Sequence, residues 1–175
     1  MYIIRSVYFL LVITLMLSGC QTSVSTRSDT THNVSDGQEL IVKGKVSLPA
    51  PAGYEKVWFN ESSIIFSKAG GSIIYRWIDQ EEIEFIGSKK SPYDFFKGAF
   101  NNPETVEEKG FLEGLSSSVK HLASSEKNLE MYSFDYDDGR QMYILSDSLD
   151  FVVEVTFKGD LNQYFEKLSQ YSHIR

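Results

Sequence analysis

Apolar residues crowd the start of the chain, give out, and then return in short alternating runs. From Val7 to Leu17 only Thr14 interrupts them. Residues 21–38 hold two aliphatic side chains, Val24 and Val34, among many Ser and Thr. From Glu39 onward the dominant period is two, which predicts strands. One strand is expected over residues 39–49, ended by Pro49, and a short one over 54–59. Two more, 64–68 and 72–78, flank Ala69-Gly70-Gly71 and read as a hairpin. Residues 82–86 suggest another short strand.

Helical signals come next. Ser91-Pro92-Tyr93-Asp94 reads as a helix start: Ser suits the N-cap, Pro the first turn, and Asp the positive end of the dipole. That helix carries Phe95, Phe96 and Phe100 and stops at Asn101-Asn102-Pro103. A second helix is expected over residues 112–123, with Leu112, Leu115, Val119 and Leu122 on one stripe.

The segment MYSFDYDDGRQMYILSD then predicts a hairpin turning at Asp138-Gly139, because both positions tolerate positive φ. In that register Asp137 faces Arg140, Phe134 faces Tyr143 and Tyr132 faces Leu145. The run DFVVEVTFKG alternates Phe151, Val153, Val155 and Phe157 with Val152, Glu154 and Thr156, completing a three-stranded meander. A last helix is expected from Asp160, where Asp160-x-x-Gln163 resembles a capping box. Its stripe is Leu161, Tyr164 or Phe165, Leu168 and Tyr171. The fold class is therefore α+β, antiparallel sheet with helices packed on it.

Composition narrows the partners. The chain has 17 Lys+Arg against 24 Asp+Glu. Arg5 and Arg27 offset Asp29 and Asp36, so residues 39–175 carry the whole formal net charge of −7. No basic cluster exceeds Lys89-Lys90, which argues against nucleic acid and anionic lipid surfaces as partners. The one cysteine, Cys20, excludes an internal disulfide framework.

The position of Cys20 carries chemistry of its own. The apolar run before it is too short for a bilayer core, which needs roughly 20 apolar residues, and fits a secretory signal. It ends in Leu17-Ser18-Gly19-Cys20, which resembles the lipobox of bacterial lipoproteins. That resemblance implies a diacylglyceryl group on the Cys20 thiol and cleavage before Cys20. Residues 1–19 are then signal peptide, residues 20–38 the lipidated Cys and a disordered tether, and residues 39–175 a single domain. A flexible tether of this length reaches about 23 Å r.m.s.. Two or three acyl chains anchor stably in a bilayer, at about 0.8 kcal/mol per buried CH₂. Position 21 is Gln, not Asp, which by the same resemblance favours the outer membrane, periplasm-facing, where an organism has one. The strand order and the closing VVEVTFKGDLNQYFEKL unit also resemble the PsbP-like fold, whose members include small envelope proteins mostly without known catalysis. That likeness implies fold rather than activity.

Catalytic and metal motifs are sparse. His32, His121 and His173 show no ligand spacing, so no metal or other cofactor is expected. Asp135-Tyr136-Asp137-Asp138-Gly139 places its glycine one residue too early for a calcium loop. No nucleophile elbow or phosphate loop is present. Glu81, Glu82, Glu84, Glu107 and Glu108 could supply the carboxylate pair of a cell-wall hydrolase, if two lie about 5 to 9.5 Å apart across a cleft. Trp58 and Trp77 could stack a sugar or a peptide, although Trp in strands usually belongs to the core. The expectation is a non-catalytic envelope lipoprotein that binds an envelope protein or a small ligand, with no catalytic residue assigned. The alternatives are a small hydrolase and an acidic immunity or inhibitor protein.

Overall fold

In the computed structural model, which describes residues 38–115, 118–122, 124, 128–136, 139–159 and 162–175, the segment expected as one strand over residues 39–49 folds back on itself. Lys43 and Gly44 take left-handed conformations, φ 48° and 72°. They split the expected single strand into β1 (Glu39–Val42) and β2 (Val46–Pro49), paired antiparallel. Lysine is an uncommon left-handed residue, so the turn gave little signal. The C-terminal β10 (His173–Ile174) pairs with the other side of β2 and completes a small three-stranded sheet.

The larger sheet has seven antiparallel strands. These are β3 (Lys56–Phe59), β4 (Ser63–Lys68), β5 (Gly71–Ile78), β6 (Lys120–Leu122), β7 (Glu130–Tyr136), β8 (Gly139–Leu145) and β9 (Val152–Lys158). Their order is β3-β4-β5-β9-β8-β7-β6. The β4–β5 hairpin turns where Gly70 reaches φ 86°. The meander β7–β8–β9 also forms as its alternation implies. Because β9 enters between β5 and β8, it is buried on both faces, from Val152 through Val155.

One face of this sheet packs Ile73, Tyr75, Ile144, Val153 and Val155 against Val46 and Leu48 of the small sheet and Phe165 and Leu168 of α4 (Asn162–Tyr171). Tyr171, expected on that stripe, is 64% exposed; the helix ends there and the chain turns into β10. Asp160 and Leu161 lie outside the described residues. The opposite face buries Tyr132, Tyr143, Leu145 and Val152 under three helices: α1 (Gln80–Phe85), α2 (Pro92–Asn101) and α3 (Val106–Glu113). Interlocking rings, such as Phe96 with Tyr143 and Phe111, fill this second core. The architecture is thus α+β, two antiparallel sheets with helices packed on the larger one, as expected.

Three further expectations are corrected. Residues 82–86 belong to helix α1, not a strand: Asp79 caps it by accepting from the Glu81 N–H at 3.1 Å, and Ile83 alone turns inward as a buried residue. The helix expected over 112–123 lies earlier, as α3, where Thr105 and Glu108 form a full capping box. Lys120–Leu122 is instead strand β6. The apparent stripe serves two cores: Leu115 and Val119 pack on the helical side and Leu122 on the other. Finally, the β7–β8 register is offset by two residues. Asp135 faces Arg140, Tyr132 faces Tyr143, and Phe134 faces Gln141. An offset of two keeps every side chain on its face, so the alternation could not reveal it. Residues 137–138 connect the strands and lie outside the described residues.

Candidate functional site

A concavity lies where α2 crosses β7. Ser91 caps α2, its Oγ accepting from the Asp94 N–H at 3.1 Å. The inward face is set by Phe95, Phe96 and Ala99. That fixes Tyr93, Lys97 and Asn101, spaced i, i+4 and i+8, along one line of the helix. They meet Glu130 and Tyr132, which alternate onto the same face of β7. Lys97 Nζ lies 2.7 Å from Glu130 Oε1 and donates to the Tyr93 hydroxyl at 2.5 Å. Tyr93 donates to the same carboxylate oxygen at 2.7 Å, and Tyr132 donates to Oε2 at 3.0 Å. Asn101 Nδ2 donates to the Tyr132 oxygen at 2.8 Å. The Tyr132 ring stacks on Phe100 at 4.8 Å and lies 4.9 Å from the His121 ring of β6.

A second ion pair stands nearby. Glu108 is fully buried. Its Oε1 accepts from Lys90 Nζ at 2.5 Å, and its Oε2 accepts from the N–H groups of Glu104 and Thr105 at 2.9 and 3.0 Å. Gly98 of α2 leaves room for this carboxylate. Around the two pairs opens a cleft of about 540 Å³, bordered by Asn101, Asn102, Glu104, His121 and Tyr132.

The electrostatics hold these groups in their charged forms. Burial raises the Glu130 pKa, but hydrogen bonds from Lys97, Tyr93 and Tyr132 outweigh it, and the carboxyl stays below its ordinary value. Glu108 behaves alike: burial is outweighed by Lys90 and by the Thr105 and Glu104 N–H groups. Lys97 is raised by its bonds to Glu130 and Tyr93, and Lys90 by its bond to Glu108. Burial raises both tyrosines. A general acid or base works best with a pKa near the operating pH, and these four charged groups are all displaced away from neutrality.

A different constellation lies across β5, β9 and α1. The Arg76 guanidinium bridges two carboxylates, reaching Glu154 at 3.3 Å and forming an ion pair with Glu82. Gln141 donates to Glu154 Oε1, and the Tyr143 hydroxyl approaches Oε2 at 3.4 Å. Burial raises the Glu154 pKa in spite of Arg76. Among the described residues it is the one carboxyl group shifted upward.

The residues singled out from sequence are thereby dispersed. Glu82 joins Arg76, Glu84 accepts from Gln80, and Glu108 is enclosed in the α3 cap. Glu107 lies near Gly87 at the opposite end of α3 from Glu113. Trp58 is 47% exposed on edge strand β3, and Trp77 is half-buried against the main core. Asp135 pairs with Arg140 at 2.6 Å and with Lys120 at 3.4 Å. Among the described residues no group of three His, Cys, Asp or Glu side chains could hold a metal ion, and no helix is long and apolar enough to cross a membrane. Cys20 and His32 lie outside them. His121 joins the cleft; His173 joins β10. Sequence reasoning missed Lys97, Asn101, Glu130 and Glu154. The i+4 ladder on α2 and a Glu between Val153 and Val155 were the available signals.

Comparison with known proteins yields no match: no family model, no curated protein and no solved structure is similar to this chain.

Proposed function

We propose that this chain is a membrane-anchored envelope lipoprotein whose folded part binds a protein or small ligand without transforming it. The observation that carries the binding reading is the cleft beside α2. It is lined by polar side chains, its volume falls in the range of small-molecule sites, and its Lys97–Glu130 and Lys90–Glu108 pairs are fixed in their ionic forms. Such a surface suits recognition more than proton transfer. The anchoring part rests on Leu17-Ser18-Gly19-Cys20 and on the apolar run before it. Gln21 favours the outer membrane with the domain facing the periplasm. Kinship with the PsbP-like fold belongs to the same proposal, as a kinship of fold alone.

One observation favours a second reading. Glu154, raised by burial, shares Arg76 with Glu82, and two carboxylates in unlike environments are the raw material of a glycosidase. Against it stands burial: Glu154 is 9% exposed, and Arg76, Gln141 and Thr156 occupy its oxygens. The third reading, an acidic inhibitor of a basic partner, draws only on the net charge of −7.

Labelled palmitate and a pull-down test the proposal together. Label should enter the wild-type chain and not Cys20→Ser, and the full-length chain should retain a stoichiometric envelope component. Equal labelling of both forms would overturn the anchoring. Retention abolished by moderate salt would favour the inhibitor reading.

A further inference from the structure

We propose that the cleft beside α2 takes an uncharged, hydroxyl-rich ligand, a short saccharide. This rests on the binding reading above and names the ligand class of that site. The cleft contains lysines and carboxylates, yet it is poorly suited to a charged guest. Lys97 is committed to Glu130 and Lys90 to Glu108. Each of these pairs is neutral overall, so neither draws an anion or a cation by net charge. Glu104, which also borders the cleft, stands outside the two pairs and accepts from Asn102.

The unspent hydrogen-bonding capacity points elsewhere. An ammonium has three donors. Lys97 uses two, on Tyr93 and Glu130, and Lys90 uses one, on Glu108. Asn101 spends its amide N–H groups on the Lys97 carbonyl and the Tyr132 hydroxyl, while its Oδ1 accepts from no described residue. Asn102 donates to Glu104 at 3.3 Å, and its Oδ1 is likewise unspent among the described residues. The cleft therefore offers isolated donors interleaved with isolated acceptors, and no concentration of either. A sugar hydroxyl both donates and accepts, so neighbouring hydroxyls can engage such a mixed lining without disturbing the ion pairs. An exposed flat ring, His121, stands at the border, steadied by its contact with Tyr132. Flat rings suit the apolar C–H faces of pyranose rings, whose edges carry the hydroxyls.

The test is a titration of the full-length chain, held in a detergent without a sugar headgroup, followed by NMR shifts. The neutral probes are chitobiose, cellobiose and maltose; the charged probes are inorganic phosphate, glutamate and lysyl-lysine. At least one disaccharide should bind saturably, with an affinity that changes less than about twofold when salt rises to about 0.5 M. Asn102→Ala and His121→Ala, both at exposed positions, should each weaken it by about tenfold with an unchanged unfolding midpoint. Absence of binding by all three disaccharides would overturn the proposal. So would preferential, salt-sensitive binding of a charged probe, or disaccharide binding that both substitutions leave intact. If no sugar binds but an envelope protein is still retained, the ligand class fails and the binding function stands. If a sugar binds and is cleaved, the ligand class stands and the non-catalytic reading fails.

Discussion

A Cβ at Gly139 would run into the carbonyl oxygen of Phe157 and come within 2.7 Å of the Tyr136 hydroxyl oxygen. Tyr136 lies across this glycine and donates to that same Phe157 carbonyl at 3.0 Å. The glycine is needed for close approach, as when an aromatic covers a strand glycine; it is the first residue of β8. From sequence, Asp138-Gly139 looked like a turn whose glycine supplied φ > 0. In the structure the constraint on this residue is steric. Gly139→Ala should therefore already cost about 1 to 3 kcal/mol, because overpacking a closed site forces strain. Urea unfolding checks this. An unchanged unfolding midpoint would show that the close approach of Phe157 and Tyr136 to this glycine does not constrain the fold.

Elements were legible where a local signal agreed with the long-range one. Helix α2 is the clearest case: Ser91 and Pro92 start it, and the same stretch presents Phe95, Phe96 and Ala99 to the core. The β4–β5 hairpin was equally plain, because Gly70 alone provides the turn. Elsewhere the decisive cause lay out of reach. The β1–β2 turn uses a left-handed Lys43, β6 is a strand because β7 offers it an edge, and the β7–β8 register is set by Tyr136 crossing Gly139. The cleft was illegible for a similar reason: Lys97 and Glu130 are 33 residues apart, and neither belongs to a motif. One consequence concerns α2 and α3. Replacing an interior helix glycine by alanine normally gains up to about 1 kcal/mol. At Gly98 the new methyl group would collide with the buried Glu108 carboxylate, so Gly98→Ala should destabilise the protein. A raised melting temperature would show that α2 and α3 are not packed through this contact.

For the molecule as a whole, buried and paired carboxyls oppose one another in their response to pH. Glu154 is raised above the ordinary value of 4.5 by burial. The folded state therefore binds its proton more tightly than the unfolded state, and stability falls as pH rises through the folded pKa of Glu154. Glu108, Glu130, Asp135 and Asp150 are all lowered. Their contribution is present above the unfolded carboxylate pKa and is lost as pH falls through their folded values. The melting temperature should thus pass through a maximum, with the lowered carboxyls setting its acid limb and Glu154 contributing to its fall on the other side. Glu154→Gln should flatten that fall and leave the acid limb in place. An unaltered profile would mean that Glu154 is ionised as readily in the fold as outside it.

The same residue divides the two functional readings, since a wall hydrolase built on this fold would draw on Glu154 and Glu82. The most direct measurement is the release of soluble fragments from purified cell wall by the full-length chain. A binding protein should release none above the blank, and Glu154→Gln should behave as wild type. Fragment release that Glu154→Gln abolishes, with folding intact, would contradict the account.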